Sequence, residues 1–466
     1  MTDFAVGDGE LWRSVADTLA RVVVPSLQPG AGLDAAVQMQ GMARYAATRP
    51  QEGPGRRAVR LSHALRPHAV SSDLAAVLGE ASRTLVAGLS AAPGSPLAER
   101  RLAVRGVLLE MLDEDIRAVA PLMETFSGHP AVAVLAQDRA HPAEVDQLTS
   151  WFADRFAVPV RVAAASVISG GHSRRMLRVT VADPTGREQA FVVRIEQGGT
   201  FGTDGTREAM LMGSLRRAGV PVAPVRWIET SEQPLGHPFF VMDLVAGSSV
   251  VDSGVLDAFV QTLAALHQLD PAAVADALGT PPPSPEKAVL TQIEHWSGVY
   301  RSSVGTAVPL LDEAAEWLRL TLRPTGPVAV VHGDPGPGNF LAGDGRISAI
   351  TDWEFGHYGD AAEDWAYLAI RGRKLKDSSL WYADFARLVG VKHDEPIWRA
   401  WEAFNSFKGA CANLTALRLF RVGTATTPNL LAIGTAVHYR FLRRLADLVT
   451  APAVPSPDRP TPARTT

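Results

Sequence analysis

Asp334, Asn339 and Asp352 fall within one run of the chain, VVHGDPGPGNFLAGDGRISAITDWEFGHYGDAAEDWAYLA, which begins at Val330. Oxygen-bearing side chains gathered in one place are what phosphoryl transfer from a nucleotide requires, because the protein contributes mostly positioning and charge neutralisation. One carboxylate would hold the acceptor hydroxyl. The other two groups would hold Mg2+, a hard cation that takes oxygen ligands and keeps part of its water and phosphate shell. A chain carrying these parts reads as a kinase.

The elements that must position them follow from local chemistry. Pro335, Gly336, Pro337 and Gly338 cannot continue as helix, so Asp334 and Asn339 sit on a loop that can turn both toward one centre. GDG from Gly343 to Gly345 predicts a hairpin turn, and ISAIT alternates as a strand that delivers Asp352 to its end, opposite the loop.

HGD, then Asn five positions after the Asp, then IxDWE and GDxxxD resembles the aminoglycoside phosphotransferase and choline kinase-like group. The resemblance implies Asp334 as catalytic base and Asn339 and Asp352 as magnesium ligands. It implies His332 as a brace of the loop. Asp360 and Asp364 are expected to anchor the catalytic loop through backbone hydrogen bonds. The stretches VISGGHS, VVR, LGHPFFVM and HW look similar to the kinase modules associated with certain acyl-CoA dehydrogenases, which implies a hydroxyacyl-CoA or another hydroxylated metabolite as acceptor.

Upstream, RVAAASVISGGHSRRMLRVTVAD reads as two strands around a turn at Gly170 and Gly171, where backbone N–H groups and Ser173 can approach phosphate oxygens. FVVRIE is a buried-looking strand. It carries Arg194 where the family has the basic residue that reaches the nucleotide phosphates, and arginine keeps that charge with a bidentate geometry. The next segment has a helical rhythm ending at Gly219, with Glu208 near its start, and the resemblance pairs Glu208 with Arg194. HPFFVMDLVAG reads as a strand running into the connector between lobes, so that backbone groups near Met242, Asp243 and Val245 would meet the purine edge.

The resulting expectation is an α+β, bilobal protein-kinase-like fold, with a β-rich N-lobe at 141–245 and a helical C-lobe at 246–450. An all-α helical bundle at 1–128 precedes it, and a Pro-rich, disordered tail at 451–466 follows. In the bundle, Leu11, Val15, Leu19 and Val22 form one stripe, further helices are expected at 37–47, 74–85 and 97–123, and RPQEGPGRR and SAAPGSP serve as punctuation. The bundle is expected to serve as a docking or dimerisation module.

The C-lobe helices at 255–269, 292–299 and 398–448 would build the acceptor pocket. Two features there bear on the acceptor. RGRKLK, with Arg371, Arg373, Lys374 and Lys376, recurs with Lys408, Arg418 and Arg421 as a basic set that would repel polycations or form a solvated face. Trp296, Tyr300, Trp381, Tyr382, Trp398 and Trp401 either enclose an acceptor or fill the core.

A net charge of −4 over 466 residues argues against a nucleic-acid binder driven by bulk electrostatics. The single cysteine, Cys411, rules out an intrachain disulfide, and no basic-apolar leader or membrane-length apolar run is present, so a soluble cytoplasmic protein is expected. The expected cofactors are Mg2+ and ATP or GTP. The competing class is a catalytically silent nucleotide-binding scaffold that docks a partner through its helical N-terminal region. Protein phosphorylation has little support, because no activation segment ending in APE follows Asp352.

Overall fold

The computed structural model describes residues 8–28, 31–48, 54–66, 71–126, 140–168, 174–196, 201, 203–249, 253–391, 395–423 and 428–449. The turn carrying Gly170, Gly171 and Ser173 lies outside them, as does the 451–466 tail. The architecture is mixed α+β, with a helical N-terminal region, a five-stranded sheet and a helical C-terminal half.

The chain opens with α1 (Asp8–Thr18), which passes through a π-helical turn at Leu19–Val23 into the short α2 (Val24–Ser26). There follow α3 (Ala31–Thr48), α4 (Pro54–Leu65), α5 (Leu74–Gly88), α6 (Pro96–Ala118) and α7 (Ala120–Glu124). Capping fixes several starts: Asp73 accepts from the amides of Ala75 and Ala76, and Ser95 accepts from Ala98. α4 begins inside the stretch expected to be punctuation. Pro54 opens that helix, where a missing N–H breaks no bond, and Ala58, Leu61 and Leu65 supply a buried face. The stripe expected on the first helix is only partly its buried face. Leu19 is buried with Ala16 and Val15 is half-buried, while Leu11 and Val22 are 55% and 63% exposed.

α8 (Pro142–Ala153) starts at a capping box formed by His141 and Glu144 and covers one face of the sheet. The strands β1 (Arg161–Val167), β2 (Arg175–Ala182), β3 (Glu188–Ile195), β4 (Val225–Glu229) and β5 (Phe239–Asp243) pair antiparallel in the order β1-β2-β3-β5-β4. Alternation along β3 decides what each face carries. Phe191, Val193 and Ile195 join Trp151 and Phe152 of α8, whereas Val192 and Arg194 point the other way. On that second face lies α9 (Gly205–Arg217), which buries Leu211, Met212 and Leu215 together with Glu208.

The C-terminal half contributes α10 (Ser253–His267), α11 (Ala275–Leu278), α12 (Pro285–Ser303) and α13 (Pro309–Thr321). The strands β6 (Ala329–Val331) and β9 (His357–Gly359) form one small antiparallel pair, and β7 (Phe340–Gly343) and β8 (Arg346–Ile350) form another. Then come α14 (Ala361–Arg371), α15 (Ser378–Val389), α16 (Glu395–Val422), α17 (Pro428–Ala432) and α18 (His438–Leu448), the last two joined by a π turn at Ile433–Val437. The region expected to be helical over 398–448 is thus interrupted, with Gly423 at φ +77° ending α16. Among the described residues, no helix is long and apolar enough to cross a membrane.

The N-terminal helices do not stand apart from the rest. Leu61, Leu85, Val104 and Leu108 share one continuous core with Leu311, Ala314 and Leu318 of α13. Two arginines of α6 close on one carboxylate of α13: Arg101 Nε lies 2.7 Å from Glu313 Oε1 and Arg105 Nε lies 3.0 Å from Oε2. The Arg101 and Glu313 side chains are 5% and 1% exposed. Removing one member of such a buried pair leaves an uncompensated charge. Glu313→Ala is therefore expected to lower stability by about 3 kcal/mol or more, and Arg101→Met added to Glu313→Leu is expected to recover most of it, as read from urea unfolding midpoints.

Candidate active site

The loop that leaves β6 at His332 is held by buried polar groups on both sides of its backbone. Asp364, in the first turn of α14, accepts from the amides of His332 and Gly333 at 2.8 Å each. Trp365 Nε1–H donates to His267 Nδ1 at 3.3 Å, which leaves Nε2–H to donate to Asp364 Oδ2 at 2.9 Å. Burial opposes ionisation of Asp364, yet the His267 hydrogen bond and the loop amides hold its carboxyl below the ordinary range. On the opposite side, Lys408 of α16 donates from Nζ to the Gly333 carbonyl and, at 2.6 Å, to Glu363 Oε1. Gly333 has φ +84°, and a Cβ there would lie 2.7 Å from the Phe355 carbonyl oxygen, so only glycine fits. His332 Nδ1 accepts from the Asp334 amide at 3.1 Å, while Nε2 meets the Thr351 carbonyl at 2.9 Å, so this ring bridges the loop to the strand end. Asp360 is a correction to the sequence reading. Its carboxylate binds Thr325, Gly326 and the Ala362 amide, anchoring the turn before β6 and the start of α14 rather than the catalytic loop.

The structure brings Asp334 and Asn339 into direct contact. Asn339 Nδ2 donates to Asp334 Oδ2 at 2.7 Å and to the Asp334 carbonyl at 2.8 Å. Asn339 Oδ1 takes no hydrogen bond among the described residues. The β7–β8 hairpin then carries the chain back: Phe340 pairs with Ile350, and the Thr351 amide donates to the Asn339 carbonyl at 2.9 Å. Its turn is Asp344–Gly345, with φ +51° and +71°, the left-handed pair of a type I′ hairpin. Asp352 therefore stands next to the pair across from Asn339. Its own backbone is left-handed at φ 67°, ψ 58°, a conformation unusual for a residue with a side chain.

That conformation aims Asp352 at the sheet, where Arg194 Nη2 donates to Asp352 Oδ1 at 2.6 Å. Arg194 Nε is 3.2 Å from Glu208 Oε2, an ion-pair distance without hydrogen-bond alignment. A second arginine, Arg174, lies 2.7 Å from Glu196, 3.4 Å from Glu354 and 3.6 Å from Glu208. Two guanidinium groups thus face four carboxyls, of which Glu208 and Glu354 are buried. Burial, reinforced by the Asp352 charge, pushes the Glu354 carboxyl up to about 8. Burial likewise raises Glu208 against the pull of Arg194. Burial opposes ionisation of Asp352 too, but Arg194 overcomes it and holds that carboxyl below its ordinary range.

On the side of the sheet connector, the Asp243 amide donates to Pro224 O at 2.9 Å and the Leu244 amide to Ala190 O at 3.2 Å. The Val245 amide has no partner among the described residues. The Asp243 carboxylate is taken by Arg226 at 2.7 Å through both oxygens, so this side chain faces β4. Met242 packs against the main core. A cleft of about 460 Å³ opens between α9, α12 and the Glu354–Tyr358 segment, lined in part by Arg207, His295, Trp296 and Glu354.

The basic run is not one face. Arg371 Nη1 donates to Asp334 Oδ1 at 2.7 Å, Lys376 pairs with Asp384, Lys408 is buried, and Arg373 and Lys374 are exposed. Tyr300, Trp381, Tyr382, Trp398 and Trp401 belong to the core, while Trp296 also borders the cleft. Sequence reasoning missed Arg174 and Glu354 as partners in the charge cluster; Arg174 follows an unpatterned turn, and Glu354 was visible only as the last letter of a motif.

Residues 164–404, more than half of the chain, match the family described as APH: Phosphotransferase enzyme family. The chain belongs to that family. Among curated proteins, acyl-CoA dehydrogenase family member 10 of Mus musculus is 27% identical over 178 residues, covering 35% of this chain and 16% of that protein. Acyl-CoA dehydrogenase family member 11 of Mus musculus is 28% identical over 228 residues, covering 43% of this chain and 29% of that protein. The chain therefore spans under a third of these curated relatives. Among solved structures, macrolide 2'-phosphotransferase MphH from Brachybacterium faecium aligns at 20% identity with a TM-score of 0.43, over 63% of this chain and 98% of that one.

The raised Glu354 carboxyl has a consequence for stability. With a folded-state value of about 8 against 4.5 when unfolded, the native chain binds the extra proton between those limits, so stability declines as pH rises through that window. Glu354→Gln, which stays neutral, is expected to lose less stability than the parent between pH 5.5 and 8.5, as read from denaturant midpoints at both pH values.

Proposed function

We propose that this protein transfers the γ-phosphoryl group of ATP to a hydroxyl group of a small molecule. The observation that carries the reading is the contact of Asp334 with Asn339 beside an Asp352 that Arg194 ties to the sheet. On this reading residues 141–245 form the nucleotide lobe and 246–450 the catalytic and acceptor lobe.

The residues present suit a divalent cation of the Mg2+ type. Asn339 Oδ1 is uncommitted, Asp352 keeps one carboxylate oxygen beyond its bond to Arg194, and its side chain is 31% exposed. These are oxygen donors in small number, as magnesium with its own waters and phosphate oxygens requires. Asn339 and Asp352 would hold the ion, which when bound neutralises charge on the β- and γ-phosphates.

The chain's own groups do the rest. Val245 offers a free amide to the edge of the base, and Arg194 reaches from β3 toward the phosphates. Asp334 orients the acceptor hydroxyl and takes its proton as the oxygen attacks phosphorus. Asp364, His332 and Lys408 keep the Asp334 backbone in place while this happens. A hydroxyacyl thioester of coenzyme A is the first acceptor to examine, supported by the likeness to acyl-CoA dehydrogenase family members 10 and 11 and by the cation next to Asp334.

Asp334→Asn is expected to lower turnover by about 10² to 10⁴, the span for removing a positioned base, with ATP affinity retained. The assay follows release of ADP from ATP, or of GDP from GTP, over a panel of hydroxylated acceptors. An unaltered rate in that variant removes Asp334 from the role, and nucleotide binding without turnover on any acceptor favours a silent scaffold.

A further inference from the structure

Arg371 is the final residue of α14, where the helix dipole favours a cation. Its stem lies across the catalytic loop. A Cβ on Gly336, at φ +147°, would come within 3.2 Å of Arg371 Cβ, so the glycine and the arginine stem fit one another. The guanidinium donates to Asp334 Oδ1 at 2.7 Å and to the Pro337 carbonyl at 2.9 Å. The Arg371 and Asp334 side chains are 29% and 18% exposed, so the pair is open to an entering ligand.

The neighbouring cations are committed elsewhere. Lys408 is buried against Glu363 and the Gly333 carbonyl, and Arg174 is enclosed by glutamates. Arg194 is bound to Asp352 on the sheet side. Arg371 is therefore the cation whose charge rests on Asp334, the carboxylate that a base must have free. A loop brace needs only the stem and the bonds to the carbonyls of Pro337 and Asp334, at 2.9 and 3.4 Å. The bond to the carboxylate is what bracing leaves unexplained.

We propose that Arg371 is a catalytic residue: its guanidinium moves from Asp334 onto the oxygens of the transferring phosphoryl group and holds the charge that develops there. The inference rests on the phosphotransfer reading. In the step, the acceptor oxygen forms a bond to the γ-phosphorus, and the bond from that phosphorus to the β,γ-bridging oxygen breaks, its electron pair leaving with ADP. The hydroxyl proton passes to the Asp334 carboxylate, and Arg371 keeps all its protons. Transfer of the guanidinium to phosphate also frees Asp334 for that proton, so one movement serves both ends of the reaction. Arginine in such a place is worth about 10³ to 10⁵ in rate in phosphoryl transfer generally.

The test compares the parent protein with Arg371→Met, which keeps the stem over Gly336, and Arg371→Gly, which leaves room for an added guanidinium ion. Calorimetry measures binding of Mg–ADP alone and of Mg–ADP with aluminium fluoride, a mimic of the planar phosphoryl group. The expected result is similar ADP affinity in all three proteins, with the parent alone gaining tenfold or more, an increment of about 1.4 kcal/mol, from aluminium fluoride. Guanidinium chloride is expected to restore part of the gain to Arg371→Gly and none to Arg371→Met. An equal gain in Arg371→Met overturns the proposal, as does a parent that binds ADP without any gain. A parent that fails to bind ADP overturns the nucleotide reading itself, and the proposal with it.

Discussion

The hydrogen bond from Arg194 to Asp352, 2.6 Å long, joins the sheet to the hairpin and depends on events on both sides of it. On the sheet side, the two-residue period of β3 must turn Arg194 away from the Phe152 and Phe191 layer and toward α9. On the hairpin side, Asp352 must adopt a left-handed backbone that a residue with a Cβ rarely takes, at a cost of order 1–3 kcal/mol. The cost is offset by a charge-assisted bond to a buried guanidinium. This bond fixes where the Asp352 carboxylate stands relative to Asp334 and Asn339.

The polar groups behind the loop follow the same logic. Asp364 with His267, and Lys408 with Glu363 and His357, are buried pairs whose desolvation offsets much of their attraction, so they contribute little net stability. What they do supply is location: the amides of His332 and Gly333 and the carbonyl of Gly333 each have one fixed partner. With its neighbours held on both sides, the Asp334 side chain keeps its place by geometry rather than by packing.

How much of this was legible in the sequence depended on whether a residue's partner was close along the chain. The hairpin from Phe340 to Ile350 could be read, because Gly-Asp-Gly and the alternation after it are local signals. The strand with Arg194 could be read for the same reason. α4 could not, since Pro54 and Gly55 look like a break and become a helix start only when Leu61 and Leu65 have a core to enter. Arg371 sat in a basic run that suggested solvent. Only the contact between α14 and the loop, 37 residues apart along the chain, shows it facing Asp334. Arg174 and Asp360 failed for the same reason, each being defined by partners far away in sequence.

The resting site neutralises itself, and this narrows what can open it. Asp334 is held by Arg371 and Asp352 by Arg194, two charge-assisted bonds of about 1.5–3 kcal/mol each. A lone anion entering would draw off the guanidinium groups and strand both carboxylates; a lone cation would do the reverse. Arg194 is buried and Asp334 nearly so, and stranding such charges is costly. On the proposed reading, a polyphosphate that arrives with its divalent ion presents oxygens to Arg194 and Arg371 and positive charge to Asp352 and Asn339 in one event. Exchange of partners on both sides at once is then the only route that leaves no charge uncompensated, which makes the metal–nucleotide complex, rather than either component, the species the site is built to admit.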